Sequence, residues 1–286
     1  MTAVVEKRTN MSLSSVFHIA RQELIVNIRN KWTVIFALIF GILVAGIAYF
    51  GMIAEGFSGM QNFTRTSASI LNLVLYIIPL VSLTMGTLSL TGDKGAAELL
   101  FSQPVSVSEI VTGKVFGLFV SIMLSMVTGF SLAGIIIVSQ SGMQGFMSYA
   151  AFVLLSFALS FIFLSLSVLV AALAKRKSKT FGFSLFLWFF FVLFYDVLAI
   201  GITLLLSSST INLFLFLSLF GNPVDMVRVA SLIIFDSATS FGPAGAALLR
   251  FLGGSTMSIM LLVFGLFAWG ILPLIVSMRL ISRQDL

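Results

Sequence analysis

No cysteine occurs in the chain, and His18 is its single histidine. Disulfides, thiolate metal ligands and cysteine nucleophiles are excluded, and one histidine cannot assemble a zinc site or a Ser-His-Asp set. Charge is scarce as well: 9% of residues are Asp, Glu, Lys or Arg, where a soluble domain carries roughly a quarter. A Gly-x-x-x-x-Gly-Lys-Ser/Thr phosphate loop is also missing, since Gly113-Lys114 is followed by Val115 and lacks the earlier glycine. The chain therefore reads as no enzyme by itself, with no catalytic residue, no metal site and no cofactor of its own.

What is present is apolar. Hydrophobic residues make up 59% of the 286, in runs that recur from Trp32 to Met278 with no polar block long enough for a separate globule. A hydrocarbon core about 30 Å thick needs roughly 20 apolar helical residues. Six runs satisfy this, at about 33–53, 70–91, 115–138, 149–174, 181–206 and 256–278. They are continuously apolar instead of alternating, which selects helices over a barrel. The expected fold is an all-α integral membrane protein, one transmembrane domain over 1–286.

A net charge of +6 raises nucleic acid as a partner, but the basic residues stand at the ends of apolar runs and form no stripe. The lipid bilayer explains them better. Lys7, Arg8, Arg21, Arg29, Lys31, Lys94, Lys114, Lys175, Arg176, Lys177, Lys179, Arg279 and Arg283 fall on one side of the threading, against Arg65, Arg228 and Arg250 on the other. The excess marks the cytoplasmic side and puts both termini there. Charges extend to Lys31, and the run Thr33 to Met52 has span length with no small-residue cleavage pattern after it, so it reads as a retained span.

Three segments between spans carry more information. Residues 1–12 read as a disordered basic tail, and 14–31 as an interfacial helix capped by Ser14 or Ser15, with Phe17, Ala20, Leu24 and Ile28 on one face and His18, Gln22 and Arg29 on another. The cytoplasmic loop 92–114 holds Gly95-Ala-Ala-Glu-Leu-Leu-Phe-Ser102, a helical core that Pro104 stops. A second short polar helix starts at Ser106 or Ser108, with Glu109 in its first turn. This loop looks built to meet another protein. The segment 207–255 is neither polar enough for a free loop nor uninterrupted enough for a span. Asn222-Pro223-Val-Asp225 gives a cap, a proline at the first helical position and an acid at the third, and Gly242-Pro243 starts another helix. Short re-entrant helices near 223–235 and 243–252 on the outer side follow.

Asp196 lies about fifteen residues into span five, roughly 22 Å from the inner end at 1.5 Å per residue. An acid at that depth is a functional-site candidate. The alternative is an acid that is simply protonated, or one paired with an outer arginine such as Arg228 or Arg250. Asp225 and Arg228 share a face at a spacing of three, and with Asn222, Pro223, Asp236 and Arg250 they make a candidate docking surface for an outer partner. The thirteen methionines include the same-face pairs Met257/Met260 and Met143/Met147, which read as fillers of apolar helices before they read as copper ligands.

Asp93, Gly95, Glu98, Leu99, Leu100, Ser102, Pro104, Val105, Ser106, Glu109, Gly113 and Lys114 resemble the coupling-helix segment of ABC-2 type permeases, with Ala96, Ala97, Val107 and Ser108 departing from the family's more polar and basic residues. The resemblance covers the chain in outline and implies a permease homodimer in the inner membrane. It also implies two copies of a separate ATPase that carry ATP and Mg, with Asp93, Gly95, Glu98, Leu99, Leu100, Ser102, Pro104, Glu109 and Lys114 as the ATPase-coupling residues. Asn222 to Arg228 and Gly242 to Gly245 further resemble the outer segment of permeases that serve copper-site maturation of nitrous oxide reductase. That likeness implies a periplasmic β-helical partner of the NosD type. Two other readings stay open: an ABC-2 exporter of an amphiphilic drug, peptide or lipid-linked substrate, and an ion-coupled secondary transporter that uses Asp196. A passive membrane anchor fits the outer helices and leaves the inner loop unexplained.

Overall fold

The computed structural model describes residues 12–53, 60–91, 106–174, 177–235 and 254–282. All the secondary structure there is helical: α1 Leu13–Ile28, α2 Lys31–Ile53, α3 Met60–Leu90, α4 Val107–Ser139, α5 Gly145–Ala174, α6 Lys177–Phe189, α7 Tyr195–Thr203, α8 Ser208–Gly221, α9 Pro223–Ile234 and α10 Ser255–Ser282. Among the described residues, six helices or helix pairs are long and apolar enough to cross a membrane: α2, α3, α4, α5, α6 joined to α7, and α10. The protein is an all-α, multi-pass membrane protein.

The spans differ from the sequence reading mainly at their ends. The polar stretch before residue 70 continues α3 back to Met60, because Thr66 and Ser67 are fully buried against neighbouring helices instead of standing in a loop. The short polar helix expected after Pro104 is the first two turns of α4, which runs unbroken into span three. Between α4 and α5 the chain turns at Gly142, whose φ of 67° and ψ of −162° suit only a residue without Cβ. The expected helix over 223–235 is α9, but α8 before it went unread; the two meet at Asn222 with a bend of 108°. The expected helix over 243–252 lies outside the described residues.

Helix α5 is the hub: 67% of its most apolar stretch is buried, against 11% for α6 and α7, so span five is peripheral. Aromatic rings fill the centre. Phe130 of α4 meets Phe40 of α2 edge-on at 5.3 Å between centroids, and Phe152 of α5 meets Phe235 just beyond α9 at 5.5 Å. The first of these sets a ring edge against a π face, and the second is tilted at 60°. The Tyr149 hydroxyl donates to Phe130 O at 3.0 Å, which satisfies it in an apolar surround. Lipid tails are as apolar as leucine, so close backbone approach helps hold such helices together. Gly41 and Gly129 supply it between α2 and α4: a Cβ on Gly129 would stand 2.9 Å from Gly41 Cα.

Glu23 on α1 reaches Ser89 near the end of α3, whereas Thr64 near its start donates to Phe235 O. Positions 64 and 89 on one straight helix are about 37 Å apart. Helix α1 and the α8–α9 hairpin therefore occupy opposite ends of the bundle.

Candidate functional site

Two polar clusters stand at these two ends. The first forms where α1 crosses the roots of the loop 92–105. Ser12 is the N-cap residue of α1 and makes no side-chain cap bond, so neither Ser14 nor Ser15 caps it. Its backbone N–H donates instead to Glu109 Oε1. Glu109 Oε2 accepts from Ser106 N at 2.7 Å, and Ser106 Oγ accepts from Glu109 N at 3.3 Å. This reciprocal pair is a capping box. Glu109 is buried, 3% exposed.

The face that α1 turns inward includes Ala20 and Leu24 of the apolar stripe, both partly covered, and His18, Gln22 and Arg29 are exposed on the other side. Val16, Ile19, Ala20, Glu23 and Asn27 are covered or partly covered, while Phe17 and Ile28 are exposed. The reason lies on α4. A Cβ on Gly113 would stand 2.8 Å from Ile19 Cβ, and one on Gly117 would stand 2.4 Å from Ala20 O. Gly113-x-x-x-Gly117 is thus a groove in which the α1 backbone rests.

That close seat brings charges together. Lys114 Nζ lies 3.1 Å from Glu23 Oε2 and 3.4 Å from Ser89 O; the Ser89 hydroxyl donates to Glu23 Oε1, and Asn27 Nδ2 donates to the same oxygen at 2.9 Å. Glu23 therefore ties the end of α3 to the start of α4, the two roots of the loop. Replacing Lys114 with Met should lower stability by about 1.5–3 kcal/mol, the range for a hydrogen bond to a charged group. The double variant Glu23→Leu/Lys114→Met should recover part of the loss, read as non-additivity in thermal unfolding.

The loop's own candidates, Asp93, Gly95, Glu98, Leu99, Leu100, Ser102 and Pro104, lie outside the described residues. Glu23, Ser89, Asn27 and Gly117 were missed by sequence reading. The Gly-x-x-x-Gly spacing was the available signal; nothing local marked Glu23 or Ser89, which meet only in three dimensions.

The second cluster forms where the α8–α9 hairpin meets span five. Asn222 caps α9 by accepting from Val224 N at 3.0 Å, and Pro223 at the first helical position lacks only a donor that would be orphaned anyway. Arg228 Nη1 bonds Asp196 Oδ2 at 2.9 Å and also Asp225 Oδ1. Asp196 is thus paired, and with Asp225 and Arg228 it forms a triad in which one guanidinium serves two carboxyl groups. The Asn222 amide donates to Asp225 Oδ2 and to Phe191 O, both at 2.9 Å. On the hairpin's other flank, Trp269 Nε1 of α10 donates to Phe220 O at 2.9 Å. Asp236 and Arg250 lie outside the described residues. Among the described residues no group of three His, Asp or Glu is placed to hold a metal ion. The arrangement is suited to fixing a hairpin, with one guanidinium shared by two acids.

Residues 17–286 match the family model described as ABC-2 family transporter protein. A probable ABC transporter permease protein NosY from Stutzerimonas stutzeri is 32% identical over 127 residues, 44% of this chain and 46% of the relative. The NosY of Pseudomonas aeruginosa is 32% identical over 126 residues, 43% of this chain and 46% of the relative. The match with this chain thus spans a little under half the length of each of these curated relatives.

Proposed function

The chain belongs to the ABC-2 family of transporter proteins, and from that premise we propose that it is a NosY-like permease driven by a separate ATPase. Two ATPase copies, with ATP and Mg bound to them, press on the loop 92–105 of a permease dimer in the inner membrane. The α1 end faces the cytoplasm with both termini, in keeping with the distribution of Lys and Arg. At the other end the α8–α9 hairpin works on a periplasmic β-helical partner of the NosD type in copper-site maturation of nitrous oxide reductase.

The observation that carries this reading is the clamp at the roots of the loop. Glu23 holds Ser89 and Lys114 together, and Glu109 holds Ser106 and Ser12. A push on the loop then reaches α3, α4 and α1 at once instead of dissipating in one helix end. Coupling needs such a contiguous chain of contacts. The pairing of Asp196 with Arg228 accounts for the intramembrane acid without an ion-coupled carrier.

Replacing Glu98, Leu99 and Leu100 together with Ala tests the coupling. In proteoliposomes with the ATPase, permease-stimulated ATP hydrolysis should fall to the rate of the ATPase alone. Full stimulation in the triple variant would remove the loop from the mechanism.

A further inference from the structure

Span five is not a plain α-helix. From Phe190 to Phe194 it widens into a π-turn, and the Tyr195 N–H bonds Phe190 O, five residues back. In an α-helix that N–H would serve Phe191 O. The wide turn therefore deprives the Phe191 carbonyl of its usual donor, and Phe191 is buried. The hairpin supplies the replacement: Asn222 Nδ2 at 2.9 Å. It also holds the next residues, since the Tyr195 hydroxyl donates to Ser218 O at 2.7 Å and Arg228 binds Asp196 at 2.9 Å.

We infer that the π-turn and the hairpin form a two-position latch. A π-turn contains one residue more than the α-turn it interrupts. Closing it in an unchanged sequence turns the helix beyond it by about 100° and advances it by about 1.5 Å. That rotation swings Tyr195 and Asp196 off Ser218 and Arg228. It also returns the Tyr195 N–H to Phe191 O, so the carbonyl no longer needs Asn222.

Each half of the change is unfavourable alone. Withdrawing the hairpin with the π-turn intact strands a buried carbonyl; closing the turn with the hairpin in place separates Asp196 from its guanidinium. The two move together, which gives span five two discrete arrangements, latched with a π-turn and released as an α-helix. Only the driving of this latch by nucleotide rests on the permease reading.

The absence of cysteine permits clean spin labelling at Ile200→Cys on α7 and Leu154→Cys on α5, both of them exposed positions. Distances are read by pulsed electron paramagnetic resonance in lipid nanodiscs, first without any ATPase. The parent pair should give one main distance. Asn222→Ser keeps a capping oxygen and removes the longer amide arm that reaches Phe191 O, and it should add a second distance displaced on the order of 10 Å, as expected for a label swung through about 100°. Deleting Leu193 closes the π-turn without turning α7, so in that background Asn222→Ser should leave a single distance. A single unchanged distance in Asn222→Ser, or two distances in the deletion background, overturns the latch. With the ATPase and a non-hydrolysable nucleotide added, the parent should shift toward the second distance. If Asn222→Ser gives two distances and nucleotide never moves the parent, the latch stands and the ATPase-driven reading fails.

Discussion

Gly117→Leu should detach α1 from the bundle and abolish permease-stimulated ATP hydrolysis. The first side-chain carbon alone would stand 2.4 Å from Ala20 O and 2.7 Å from Glu23 Cβ. The nearest of these is backbone, which no rotamer change relieves, so α1 must withdraw. Even Gly117→Ala, which gains about 1 kcal/mol in helix propensity, meets an overpacking penalty of about 1–3 kcal/mol. The larger leucine also separates Glu23 from Lys114 and Ser89, each contact being made only while α1 lies in its groove. Loss of those charge-assisted bonds adds about 1.5–3 kcal/mol. The expected result is a lower unfolding temperature in detergent and rapid hydrogen exchange along α1. Gly46→Leu on α2 is the control, because a Cβ there meets nothing within 4 Å. Unchanged stimulation in Gly117→Leu would show that α1 does not transmit the push.

This pair of glycines shows what was legible in the sequence and what was not. Spans are local: twenty consecutive apolar residues have one stable arrangement in lipid, so their number and kind follow from composition. The cap at Asn222 and the box at Ser106 and Glu109 are local too, since each is written within four residues. The inward face of α1 is not. Its apolar stripe of Phe17, Ala20, Leu24 and Ile28 marks one side, of which only Ala20 and Leu24 are partly covered, and the two glycines of α4 and the charge of Lys114 draw Glu23 and Asn27 inward beside them. A polar residue chooses the inside only when a partner waits there, and that partner lies 91 residues away in the chain. Helix α8 was missed for a related reason. Leu213, Leu215 and Leu217 face out of the bundle, so the segment carries an apolar surface without span length. The π-turn has no compositional mark, because it is set by what the hairpin offers to Phe191.

Arg228→Met should be the most destabilising change at the hairpin end, and the order of its companions tests why. Among the described residues Arg228 is the only ion-pair partner of Asp196 and of Asp225. Removing it leaves two acids, both partly buried, without their cation. Breaking a buried pair by deleting one partner costs about 3–5 kcal/mol. The lower end applies, because the Asp196 side chain is 35% exposed and Asp225 is 16% exposed. Most of the penalty therefore comes from Asp225. Asp225→Asn should cost less than Arg228→Met, since Arg228 keeps Asp196 and the amide still accepts. Asp196→Asn should cost least, because it leaves a balanced pair of Asp225 and Arg228. Combining Asp225→Asn with Arg228→Met should restore part of the unfolding temperature lost by Arg228→Met alone. If Asp196→Asn abolished transport while leaving the unfolding temperature unchanged, the acid would be acting on an ion and not on the hairpin, and the triad would cease to be a structural clasp.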